Sequence, residues 1–73
     1  MQTINVTSSV IAAVGYENAI LEIRFISGEV WQYKNVPQHT FDKLLNAESK
    51  GKFFNREIKD HFPALHLRHT RQA

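Results

Sequence analysis

The alternation from Ala19 to Val36 limits what this chain can fold into more than any other stretch does. Ala19, Leu21, Ile23 and Phe25 recur at every second position and project from one side of an extended strand, with Ile20, Glu22, Arg24 and Ile26 on the other. Ser27-Gly28 separates this run from a second β-rich run, Val30-Trp31-Gln32-Tyr33, and glycine supplies the positive φ of a tight hairpin turn. A two-residue loop is the simplest expectation. It sets Phe25 opposite Val30, Arg24 opposite Trp31, Ile23 opposite Gln32 and Glu22 opposite Tyr33, and directly opposed residues share a face. Trp31 and Tyr33 then lie with Arg24 on the face away from Leu21, Ile23 and Phe25. A loop that differs by one residue slips the register and turns both aromatics into the main core.

Upstream, Ile4, Val6, Ser8, Val10, Ala12 and Val14 form a period-two stripe that predicts one continuous first strand. Glu17-Asn18 is expected to turn the chain, setting Val14 against Leu21, Ala12 against Ile23 and Val10 against Phe25, so that three apolar stripes coincide. Asn35-Val36-Pro37 ends the third strand, because proline lacks a ladder donor and is pre-set for the first turn of a helix. Phe41, Leu44 and Leu45 then give the i, i+3, i+4 apolar face of a first helix that stops near Ser49-Lys50-Gly51. Ser49 is expected to cap a second helix, Lys52 to His61, with Phe54 and Ile58 buried, Phe53 at its edge and Pro63 ending it. The expected fold class is α+β: a three-stranded antiparallel sheet in the order β-β-β-α-α, with two helices packed on one face.

A chain of 73 residues is one small domain, able to bury only about 60% of the surface its unfolded form exposes. Residues 1–62 are expected to form that domain and residues 63–73 a basic, flexible tail. Lys/Arg and Asp/Glu balance over residues 1–62, so Arg68 and Arg71 supply the whole net charge of +2. A neutral body with a basic tail is not the footprint of a strong nucleic-acid binder. The chain has no cysteine, which fits a reducing compartment and makes the cytoplasm the expected location. Neither a long apolar run nor a signal-peptide pattern is present, so no membrane partner is expected.

Ser8-Ser9, Gly15-Tyr16, Leu21-x-Ile23-x-Phe25 with Ser27-Gly28, Trp31-Gln32-Tyr33, Val36-Pro37, Ala47-x-Ser49-x-Gly51 and Phe53-Phe54-Asn55 with Ile58 follow one another over roughly residues 4–62. In that order they resemble the KTSC family, small domains found at the C-terminus of some lysyl-tRNA synthetases and alone in bacterial proteins. Trp31 stands where the family pattern has a tyrosine, which keeps a large flat ring and exchanges a hydroxyl for an indole donor. The synthetase connection implies tRNA-related RNA binding.

Under the two-residue register, Trp31, Tyr33 and Arg24 form a platform on which unpaired bases stack, or else a minor second core with Arg24 across the indole. Lys52, Arg56 and Lys59 recur at i, i+4, i+7 and form a basic row that could follow a phosphate backbone or face solvent. The expected function is therefore a non-catalytic binding domain for RNA through these six residues. Its rival is a protein-interaction or homodimerisation module that covers the Trp31/Tyr33 face. No serine has a base and an orienter beside it, His66 and His69 lack metal-binding partners, and His39 is expected to face solvent. No catalytic residue, cofactor or metal is expected.

Overall fold

The computed structural model describes residues 2–68, which form a five-stranded antiparallel sheet and two helices. Strands β1 (Thr3–Asn5), β2 (Ile11–Glu17), β3 (Ile20–Phe25) and β4 (Val30–Tyr33) follow one another as a meander. Helices α1 (Gln38–Asn46) and α2 (Lys50–Phe53, continued by a π-helical turn over Phe54–Ile58) come next, and β5 (Ala64–Arg68) returns to pair with β4. The expectation of three strands is thus corrected at both ends of the chain.

At the N-terminal end, the stripe from Ile4 to Val14 is broken into two strands. The Ser8 hydroxyl accepts from the Val10 and Ile11 amides, both at 3.1 Å, and this local turn folds β1 back on β2. Ile4 consequently pairs with Val14 instead of extending the same strand. The turn into β3 is Asn18-Ala19, one residue later than expected, with φ of 52° and 65° at the two positions. Val14 therefore faces Ile23, and Tyr16 faces Leu21. A bulge at Ala12 then puts Ile11, not Val10, into the core: Ile11 is fully buried while Val10 stays exposed.

At the C-terminal end, Ala64–Arg68 is a strand where the sequence suggested only a tail. The tail's alternation is weak, but β4 presents an open ladder edge that these residues satisfy, with Tyr33 opposite Ala64 and Trp31 opposite His66. His69 and Arg71 lie outside the described residues.

One face of the sheet carries both helices. Ile11, Val14, Leu21, Ile23, Val36, Leu44 and Ile58 are its fully buried centre, each contributing about 1.5–3 kcal/mol by leaving water. Pro37 precedes α1 as expected, Phe41 and Leu44 are its buried side, and the Phe41 ring stacks on Tyr16 at 5.0 Å. The Tyr16 hydroxyl donates to the Val36 carbonyl, which ties β2 to the entry of α1. Ser49 caps α2, accepting from the Lys52 amide at 3.3 Å.

The second helix starts and ends earlier than expected. Gly51 lies inside its first turn, and the Lys59 amide donates to the Phe54 carbonyl at 2.8 Å, the i to i+5 bond of a π turn. Lys59 leaves the helix with ψ 130°, and Asp60 follows at φ 67°, so the helix ends at Ile58 and not at His61. The wider turn lets Phe53, Phe54 and Ile58 all be buried, whereas a regular helix was expected to leave Phe53 at the edge.

Candidate functional site

The register of the β3–β4 hairpin decides where the aromatic pair goes. The Gly28 amide donates to the Phe25 carbonyl and the Phe25 amide to the Glu29 carbonyl, both at 2.9 Å, so the loop is the three residues Ile26-Ser27-Gly28. Gly28 occupies φ 102°, a conformation that glycine reaches without strain. The ladder then pairs Leu21 with Tyr33, Glu22 with Gln32, Ile23 with Trp31 and Arg24 with Val30. This is one residue away from the two-residue expectation, and it inverts the face of every residue in β4 relative to β3. Two large rings move from an uncovered face to the face that the helices cover, and their burial is the driving force for this choice.

The expected platform of Trp31, Tyr33 and Arg24 is therefore not formed. Arg24 is on the opposite side of the sheet, where its Nε donates to Glu22 Oε2 at 2.8 Å while Gln32 Nε2 donates to Glu22 Oε1 at 3.0 Å. Burial opposes the charged form of Glu22, but the bonds from Arg24 and Gln32 outweigh it and hold the carboxyl below its ordinary range. Arg24 is engaged with this buried carboxylate.

The basic row is divided as well. Lys52 and Arg56 border an open cleft with Lys43, between the end of α1 and α2. Arg56 also bonds Glu57 at 2.9 Å and lies over the Phe53 ring at 5.9 Å. Lys59, displaced by the π turn, borders a different groove.

That second groove is where Trp31 and Tyr33 are found. It lies between β4 and the turn after α2, holds about 420 Å³, and is bordered by five rings: Phe25, Trp31, Tyr33, Phe54 and Phe62. Phe54 sets its edge against Phe25 at 5.5 Å and against Tyr33 at 5.4 Å, which fixes the floor. Trp31 is half-buried, stacked on His66 of β5 at 4.1 Å and 8° and on Tyr33 at 6.4 Å. Its indole N–H donates to Glu29 Oε1 at 3.1 Å, and His66 Nε2 stands 3.2 Å from the same oxygen. Asn55, Lys59 and Asp60 complete the rim from the helix side. Burial, with the Asp60 carboxylate nearby, pushes the Tyr33 hydroxyl up to about 12.

Of the six candidate residues, the structure brings Trp31, Tyr33 and Lys59 together, groups Lys52 with Arg56 elsewhere, and sets Arg24 apart. Sequence reasoning missed Phe25, Phe62, Glu29 and Asp60 as groove residues. The signal for the two phenylalanines was present in their apolar positions, but their convergence depends on the hairpin register and the π turn. Among the described residues no three His, Cys, Asp or Glu side chains are placed to share a metal ion, and no helix is long and apolar enough to cross a membrane.

A protein of Tsukamurella paurometabola is 47% identical over 64 residues, which cover 85% of this chain and 96% of that protein. An uncharacterised protein of Stutzerimonas stutzeri is 38% identical over 61 residues, 81% of this chain and 86% of its own length. A lysine--tRNA ligase of Nostoc punctiforme is 45% identical over 56 residues, which cover 74% of this chain and 10% of the ligase. The crystal structure of a KTSC domain protein from Yersinia pestis superposes with a TM-score of 0.85 at 38% identity, covering 90% of this chain and 96% of that one. The KTSC domain family model matches residues 7–62, from the loop before β2 to the end of the turn after α2, with the edge strands β1 and β5 outside the matched range. The chain belongs to the KTSC domain family.

Proposed function

We propose that this domain is a non-catalytic binding module that receives a short segment of a partner protein in the groove between β4 and the turn after α2. The observation that carries the reading is the convergence of five aromatic rings on one open concavity with a polar rim. Aromatic-lined concavities with a few placed polar groups are where proteins concentrate binding energy. A non-catalytic role is supported by what the reactive side chains already do. Ser8 and Ser49 satisfy turn and helix-start amides, and Glu22 is committed to Arg24 and Gln32.

A second reading, RNA binding, is favoured by the similarity to part of a lysine--tRNA ligase and by the cleft that groups Lys43, Lys52 and Arg56. The two readings use different surfaces, so one experiment separates them. Isotope-labelled protein is titrated with hits from an arrayed peptide panel, and in parallel with short single-stranded RNA and mixed tRNA. The peptide reading expects shifts at Trp31, Tyr33 and Lys59 that disappear in Trp31→Ala and persist in Lys52→Glu. RNA binding expects shifts around Lys43, Lys52 and Arg56 that shrink as salt rises. A panel with no peptide that moves the Trp31 indole signal overturns the first reading.

A further inference from the structure

The charges around the aromatic groove narrow what it can accept. Glu29 approaches from the start of β4 and Asp60 from the turn after α2, so carboxylates stand on both sides of the rings, with Lys59 the cation among the bordering groups. The balance at the rim is one negative charge, which disfavours a phosphate and favours a cation. The ring faces carry the same preference, since the faces of Trp, Tyr and Phe are the negative ends of their quadrupoles. The Trp31 indole N–H donates to Glu29 and one ring face is covered by His66 at 4.1 Å, so what Trp31 offers the groove is its other face, on the Tyr33 side. Burial first, and the Asp60 carboxylate second, raise the Tyr33 hydroxyl to about 12 at the groove floor.

We propose that the groove recognises the guanidinium of an arginine carried on an extended segment of a partner protein. This rests on the peptide-groove reading above and adds the chemical class of the occupant. A planar guanidinium can stack on an aromatic face and direct its N–H fork at a carboxylate in the same pose, whereas an ammonium is a compact, strongly hydrated point charge. The groove, about 420 Å³, is at the small end of ligand clefts. It suits one long side chain with its adjoining backbone, not a folded surface.

The test uses the whole chain and its single tryptophan, Trp31, as the fluorescent reporter, with amide shifts to locate binding. The probes are a terminally blocked Gly-Gly-Arg-Gly-Gly peptide, the same peptide with citrulline or lysine in place of arginine, and N-acetyl-arginine amide. The arginine peptide is expected to bind with shifts at Trp31, Tyr33 and Asp60, and about tenfold more tightly than the citrulline peptide, the neutral isostere. Lysine is expected to rank between them.

Asp60→Asn is expected to weaken arginine binding about threefold to tenfold, and Lys59→Gln to strengthen it by a similar factor, because one removes an attraction and the other a repulsion. Both residues are exposed, so neither change puts folding at risk. Equal affinity for arginine and citrulline peptides overturns the proposal while leaving the groove reading intact. So does binding of other panel peptides in the groove with no response to arginine. Equal binding of N-acetyl-arginine amide and the pentapeptide overturns the segment and points to a free organic cation. If no peptide of any kind moves the groove signals, the peptide-groove reading fails with it.

Discussion

Replacing Gly28 with alanine tests the physical reason for the hairpin register. Gly28 sits at φ 102°, and a Cβ built there meets no neighbouring atom within 4 Å. The cost is therefore confined to the backbone: about 1–2 kcal/mol for placing a Cβ-bearing residue in left-handed space. For 73 residues the total stability is on the order of 4–11 kcal/mol, so the variant still folds. Its Tm is expected to fall by roughly 5–15 °C.

Ala19 provides the mirror case, since it occupies φ 65° with a side chain present. Ala19→Gly removes about 1–2 kcal/mol of strain and gives back about 0.4–1 kcal/mol of unfolded-state entropy. It should stabilise by about 0.5–1 kcal/mol. Gly51→Ala serves as the control without a positive φ: its Cβ would meet only the Val10 side chain, at 3.4 Å, and the helix should tolerate or favour it. Thermal and urea unfolding give the three signs. Cross-strand proton contacts then check the pairing directly, because Trp31 should contact Ile23 and not Arg24 across the ladder. A neutral Gly28→Ala, or a Trp31 to Arg24 pairing, refutes the three-residue loop as the device that sets the register.

Three further outcomes follow from the same geometry. Glu22 has a folded pKa below its ordinary 4.5, so its stabilisation is fully present above that value and is lost as pH falls through the folded pKa. Glu22→Gln should thus cost about 1–3 kcal/mol at neutral pH, and acid unfolding curves of variant and wild type should converge below that range. The Tyr33 hydroxyl runs the other way: raised to about 12, it contributes stability below pH 10 that is lost between about 10 and 12. The loss is about 2–3 kcal/mol. Tyr33→Phe should flatten that alkaline decline, and the difference between the absorbance titrations of wild type and variant should show Tyr33 ionising late. His66→Ala removes the ring stacked on Trp31 at 4.1 Å. It should cost about 1 kcal/mol and shift the tryptophan emission to the red.

The elements that were legible in the sequence are those whose signals are local. Pro37 and Ser49 mark helix starts by the chemistry of one residue, and Phe41 and Leu44 mark a buried helix side by spacing alone. The apolar stripe Leu21, Ile23, Phe25 needed only the period of a strand. Local alternation also gave β4 its side chains, but not the strand against which they would be read. The bulge at Ala12 shifts the residues before it by one position and the π turn at Phe54 those after it, and no composition signal marks either. β5 was hidden for a different reason. Its five residues have weak patterning, and their partner is an edge that exists only once β4 is in place.

The same division applies to the candidate site. By itself the sequence determined that this is a small α+β domain of the KTSC pattern, which residues can carry aromatic and basic chemistry, and that the hairpin register would decide their use. Only the tertiary structure decided that Trp31 and Tyr33 face the helices, that Lys59 joins them while Lys52 and Arg56 do not, and that Arg24 answers to Glu22. The physical reason is that strand periodicity fixes which residues alternate, whereas the choice between two registers one residue apart is settled by burial. Two rings gain more against Phe54 and the helices than on an uncovered face, and the positive φ of Gly28 lets the loop accommodate that choice.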